Sequence, residues 1–264
     1  MDTRGALAVL GRVRRAAKAS GRTFTEAALA AEWRLVTVAK KEGEKPIEQA
    51  ARREFRREQA QVLSNLQRIT ASLVFDIDGW ASDMAGEIGP PALAALRAGF
   101  EAGAARVGVV DALPFRVDDP RVRIPLRALL GKTKDIADTT ADALTRQIMQ
   151  GVGAGETQAE LAARVRAVFS QATGYRSRLI ARTSATTATE AGSDFAFREA
   201  GIGRRSWLSQ RAGNTRAAHL EADGQEVGID EPFIVDGYAM QYPGDYSAPV
   251  HLVANCYCTV LPLL

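Results

Sequence analysis

Cys256 and Cys258, in the string NCYCTV (255–260), are the only two cysteines of the chain, and His219 and His251 are its two histidines. Every soft metal ligand therefore falls between residues 219 and 258. Two thiols and two imidazoles make a Cys2His2 set, which zinc binds tetrahedrally. Residues two apart on a strand face the same side, so both thiols would reach one ion. Against that, a single residue between the cysteines is fewer than the usual two to four, and the gap from His219 to His251 is long. Buried cysteines also behave as small hydrophobes, and packing in a β-core is the preferred reading of the pair. On that reading His219 bonds the turn at Asp223 and His251 lies on the surface. A disulfide between neighbours on one face would be strained, and so few cysteines imply a reducing compartment.

The same residues offer two catalytic readings. Cys256 or Cys258 with His219 would be a nucleophile and its base, with Asp223 orienting the ring. Arg182 and Glu190, on one helical run, are residue types that an ADP-ribosyl transfer would use. Neither set carries a local signature, so no catalytic residue is assigned and the chain is expected not to be an enzyme. Arg182 is read instead as an ion-pair anchor between a helix and the acidic tail.

A net charge of +3 conceals a gradient: residues 1–60 carry +6, residues 61–216 carry +4, and residues 217–264 carry −7 with no lysine or arginine. The basic end suits a polyanion. Arg12, Arg14 and Arg15, and then Arg52, Arg53, Arg56 and Arg57, are the candidates for nonspecific contact with double-stranded DNA, through counterion release rather than base reading. Trp33, Phe55 and Tyr175 are too scattered to form a stacking platform. No apolar run reaches the 18 residues a membrane span requires, and the first 20 residues lack a signal peptide's continuous apolar region.

These residues need elements to hold them. The first two-thirds of the chain reads as helix. A helix from the Thr at 25 is expected to break at GEKP (43–46), and a second to run over roughly 46–75, with Val62, Leu63, Leu66, Ile69 and Leu73 on one face. GPP (89–91) is expected to stop one helix and open another, and LPFRVDDPRVRIP (113–125) to be a loop or short strand. Three more helices follow from 131, the second stacking Leu161, Val165 and Phe169. GVGAGE, between the first two, follows a helix rather than a strand and lacks the Lys-Ser/Thr of a phosphate loop, so it reads as a cap and turn. After 203, RRSWLSQ, PFIVDGYAM and CYCTVLPL are short β-prone runs separated by turn signals. The fold class is α+β: a mostly helical N-terminal region, then a compact helical domain closed by a small antiparallel sheet. The division is placed at 1–130, a basic helical region, and 131–264.

The second unit carries an ordered set of short strings: ARTS (181–184) with Arg182, then Trp207, Arg216 and His219, the Asp223-Gly224 turn, PF (232–233), YPGD (242–245) with Pro243, Gly244 and Asp245, and Asn255-Cys256-Tyr257-Cys258. This resembles the phage Mu F-like head morphogenesis family over roughly residues 131–264. Ser184 stands where that family usually has Glu, and Tyr257 where it usually has Arg. The resemblance implies a minor capsid protein of a tailed bacteriophage, acting in head morphogenesis. It implies a place in the virion, inside the capsid near the portal, with the host cytoplasm as the site of assembly. Portal protein, other head proteins and packaged DNA are the implied partners, without a membrane. No cofactor is implied, with zinc as the one alternative. An enzyme or toxin-associated domain on the same scaffold is the competing reading of the family.

Overall fold

Two helices run straight through prolines that the sequence reading takes as breaks. The computed structural model of the protein describes residues 26–109 and 113–263. Helix α1 (Glu26–Ser64) passes through Pro46, and α3 (Ile77–Arg106) passes through Pro90 and Pro91. A proline inside a helix forfeits a backbone hydrogen bond and crowds the preceding turn. Here tertiary packing outweighs that cost. Ile47, Ala50 and Ala51 follow Pro46 into the core, and Ala92, Ala95 and Leu96 follow Pro91. Between the two long helices lies the short α2 (Leu66–Ser72), so the stretch expected over 46–75 is split at Asn65. Val62, Leu66 and Ile69 are nevertheless buried together.

The segment expected as loop or strand after 113 is partly helical: α4 (Pro120–Gly131) starts on Pro120 at its first position, capped by the Asp119 carboxylate accepting from Arg121 N. Helices α5 (Thr133–Gly153) and α6 (Gln158–Gln171) follow, α6 opening on a capping box of Thr157 and Glu160. Leu161, Val165 and Phe169 are buried as their spacing requires, and Gly155, at φ 72°, makes the expected turn after α5. A π-helical turn (Ala172–Arg176) leads into α7 (Ser177–Glu199).

Helices α1, α3 and α7 form the centre, and the backbones of α3 and α7 almost touch. A Cβ on Gly99 would lie 2.1 Å from Thr189 O, and one on Gly192 would lie 2.0 Å from Leu96 O. The sheet caps this bundle. Strand β1 (Arg204–Leu208) lies between β2 (Glu226–Gly228) and β5 (Thr259–Leu263), all antiparallel, and β3 (Phe233–Val235) and β4 (Tyr238–Met240) form a separate hairpin. The two-residue turn Asp236-Gly237 has φ of 51° and 78°, the geometry that Asp-Gly favours in hairpins. Short helices α8 (Ala217–Glu221) and α9 (Val250–Val253) connect the strands. The 130/131 boundary falls within the last turn of α4, and one hydrophobic core, from Ile47 to Val260, crosses it.

One core group makes stability depend on pH. Glu58 is buried, neither carboxylate oxygen has a hydrogen-bond partner among the described residues, and burial, then the neighbouring Glu54 charge, pushes its pKa from 4.5 up to about 8. The folded state thus holds this proton more tightly than the unfolded chain does. The associated stability is complete below about 4.5 and is lost as pH rises through about 8. Chemical denaturation across that window should show stability declining with pH, and Glu58→Gln should remove part of the slope. A variant with the wild-type slope would refute the assignment.

Candidate metal centre

Each ligand candidate is placed by a different local device. His219 sits on α8, whose preceding residue, Arg216, donates to Ala254 O at 2.5 Å and so ties α8 to the segment leading to the cysteines. Trp207 on β1 meets the His219 ring edge-on at 5.7 Å and Phe233 at 5.4 Å, fixing the imidazole in an aromatic wall. Gly224, at φ 79°, turns the chain so that its N–H donates to Trp207 O. The Asp223 carboxylate accepts from Ser209 N and Arg211 Nε, both at 2.8 Å. It therefore holds the loop after β1 rather than His219. The expected bond between His219 and that turn is absent from the structure.

Cys256 and Cys258 are not on the last strand. They occupy the irregular segment before β5, after Asn255 reverses the chain at φ 58°. That segment is pegged to one face of α7. Asn255 N donates to Thr183 Oγ1 at 3.0 Å, and Thr186 Oγ1 donates to Cys256 O at 2.7 Å. The Glu190 carboxylate accepts from Val260 N and pairs with the buried Lys40 of α1 at 2.7 Å; Lys40 Nζ also donates to Cys258 O at 2.6 Å. Residues 183, 186 and 190 recur at helical spacing, so α7 presents a polar stripe to the closing strand. Arg182 Nη1 donates to Asn255 Oδ1 at 2.9 Å and lies over the Tyr257 ring, whose hydroxyl donates to Glu44 of α1. Arg182 is thus an anchor, chiefly by a hydrogen bond to the Asn255 amide, with the Glu44 carboxylate of α1 farther off at 3.8 Å. Nearby, Gly244 of YPGD, at φ 86°, lets its carbonyl accept from Thr187 Oγ1 at 2.7 Å, and Asp245 caps Gln241 N and Ser247 N.

The thiols converge on one imidazole nitrogen. Cys258 Sγ is 3.3 Å and Cys256 Sγ 3.5 Å from His219 Nδ1, and all three residues are buried. Cys258 N donates to Cys256 Sγ at 3.4 Å. The Cys258 thiol also donates to Cys256 sulfur and, with His219 and the Lys40 ammonium, holds the Cys256 thiol well below its ordinary 9.0 despite burial. Cys258, giving that hydrogen bond beside a charged sulfur, is pushed up. His251 takes no part: it is exposed and stacks edge-on against Tyr238 at 6.4 Å. The four candidate ligands named from sequence are thus three residues in space.

The catalytic readings fare differently: the thiols do touch His219 but the trio is buried, and the predicted third members are elsewhere. Asp223 does not orient His219, and Glu190 is sealed in the core on Lys40 while Arg182 points to Asn255. The DNA candidates are divided. Arg52 pairs with Glu48 at 2.5 Å, Arg53 with Glu87 at 2.9 Å, and Arg57 with both Glu54 and Glu87. Arg56 is exposed. Arg12, Arg14 and Arg15 lie outside the described residues. The acidic tail is likewise partly neutralised from within, by Arg198 on Asp230, Arg204 on Glu226 and Arg211 on Asp223.

Comparison with known proteins adds a family to this geometry. Residues 138–261 match the family described as Phage Mu protein F like protein. The NAD(+)--arginine ADP-ribosyltransferase EFV of Enterococcus faecalis (strain ATCC 700802 / V583) is 31% identical over 132 residues. That is 48% of this chain and 26% of that protein, so the chain spans about a quarter of its relative's length. No solved structure matches at a significant level.

Proposed function

We propose, from the match of residues 138–261 to the Phage Mu protein F-like family, that the protein is a minor component of a bacteriophage head that acts in head morphogenesis near the portal, without chemistry of its own. The family match carries the reading, and one structural feature supports a role in docking. The β3–β4 hairpin exposes Ile234 and Tyr238 beside Asp236, and Glu221 and Glu231 lie exposed on the same closing segment. An acidic rim with an apolar tip favours a basic partner surface, and rim charges set association rate and register more than affinity. The full chain should therefore be found by mass spectrometry in purified heads, and should capture the portal in a salt-sensitive manner. Heads without the chain would overturn the proposal, and salt-independent capture would overturn the docking surface.

DNA contact belongs to the same proposal, with its weight moved toward the N-terminus. Three of the four arginines at 52–57 are already paired with carboxylates, which lowers what they gain by releasing phosphate counterions. Residues 1–25 carry six basic residues against Asp2 alone. Binding of the full chain to duplex DNA should weaken with salt, with a log–log slope of about −0.9 per phosphate contact. Replacing Arg12, Arg14 and Arg15 with Ala should flatten that slope more than replacing Arg52, Arg53, Arg56 and Arg57. The reverse order, or no binding at low salt, would refute this placement.

The ADP-ribosyltransferase name belongs to a relative of which this chain matches about a quarter. With Glu190 buried on Lys40, this chain offers that chemistry no exposed Arg–Glu pair at 182 and 190.

A further inference from the structure

The geometry points to a zinc site formed by His219 Nδ1, Cys256 Sγ and Cys258 Sγ, a metal staple that locks α8 to the segment entering β5. The three donor atoms lie within 4.8 Å of one another. A sulfur about 2.3 Å and a nitrogen about 2.1 Å from one tetrahedral ion stand about 3.5 Å apart. The two sulfur–nitrogen separations, 3.3 and 3.5 Å, are close to that edge. Side-chain packing alone explains buried cysteines, but it does not require both sulfurs to aim at the same ring nitrogen.

The surroundings are those of metal thiolates. Cys256 Sγ accepts the backbone N–H of Cys258, and the buried Lys40, bonded to Cys258 O, adds a positive charge nearby. Backbone N–H groups aimed at sulfur stabilise an anion far more than a thiol. Two thiolates, a neutral imidazole and a divalent ion sum to zero charge, which a dry core tolerates far better than an isolated thiolate. Trp207 and Phe233 set the ring orientation, a task that outer groups commonly perform for ligating histidines. Both sulfurs approach His219 Nδ1, so Nδ1 is the nitrogen offered to the site. Among the described residues no further Cys, His, Asp or Glu completes the cluster, so a fourth, small ligand such as water is needed. Burial of all three residues argues for a structural role.

The test uses the full chain, expressed with zinc and purified under reducing conditions without a histidine tag. Elemental analysis should find close to one zinc per chain, retained in His251→Ala and lost in His219→Ala, Cys256→Ser and Cys258→Ser. Because those three variants can fail to fold, the wild-type protein should also be stripped with a chelator and titrated with Co2+. Saturation at one equivalent is expected, with thiolate-to-cobalt charge-transfer absorption, tetrahedral d–d bands, and displacement by zinc. A wild-type chain with no stoichiometric metal and no thiolate–cobalt absorption would overturn the site, as would zinc retained after both cysteines are replaced. Since the readout is metal content, the outcome is independent of whether the protein acts in a phage head.

Discussion

Lys40→Met should destabilise the protein by about 3–5 kcal/mol, the range for removing one partner of a buried ion pair. Lys40 and Glu190 side chains are 1% and 0% exposed, so neither charge has water to fall back on. Without Lys40, the Glu190 carboxylate keeps, among the described residues, only Val260 N as a donor, and Cys258 O loses its Lys40 hydrogen bond. The double variant Lys40→Met/Glu190→Leu should be less destabilised than either single variant, because an apolar pair avoids the stranded charge. It should still fall short of wild type, since unmet Cys258 O and Val260 N each cost about 1–3 kcal/mol. Denaturant midpoints at constant m-value measure this directly. A double variant as unstable as the sum of the singles would show that the two residues are not coupled, and would overturn the pairing. The consequence reaches beyond α1. Lys40 and Arg106, whose Nη2 donates to Val260 O at 2.5 Å, both lie outside the family-matched segment yet hold its last strand in place.

Gly99→Ala or Gly192→Ala should destabilise the fold by about 3 kcal/mol or more, at or beyond the upper end for overpacking a core. Intrinsic helix propensity pulls the other way, favouring alanine over glycine by about 1 kcal/mol. Sterics decide the sign. The added methyl would meet Thr189 O at 2.1 Å or Leu96 O at 2.0 Å, and these are backbone atoms of rigid helices rather than movable side-chain ends. Gly86→Ala supplies the control: it lies on the same helix α3 as Gly99 with nothing within 4 Å of the added carbon, so propensity alone should stabilise it. Thermal or denaturant unfolding of the three variants is the measurement. Gly99→Ala behaving like Gly86→Ala would mean that α3 and α7 do not approach this closely.

What the chain determines locally could be read from its sequence. Leu161, Val165 and Phe169 face the core because their spacing matches the helical repeat, and Asp236-Gly237 turns the β3–β4 hairpin because those residue types tolerate positive φ. The glycines after α5 and the antiparallel closing strands are legible for the same reason: neighbouring residues satisfy the rule between themselves. Partners distant in sequence are another matter. Pro46, Pro90 and Pro91 look like breaks until the buried faces that follow them are counted against the lost hydrogen bonds. Arg53 and Arg57 look like a phosphate-binding patch until Glu87, on a different helix, is seen between them. The metal ligands show the limit most clearly. Composition confined them to four residues, and two of these, Cys256 and Cys258, are neighbours in the chain. Only the α7 stripe of Thr183, Thr186 and Glu190 fixes where the cysteine segment runs, and only the turn closed by Gly224 and the aromatic wall of Trp207 and Phe233 set the His219 ring. Tertiary packing therefore brought His219 to the thiols and left His251 outside, because side-chain convergence across 37 residues is set by what each segment packs against, which spacing does not encode.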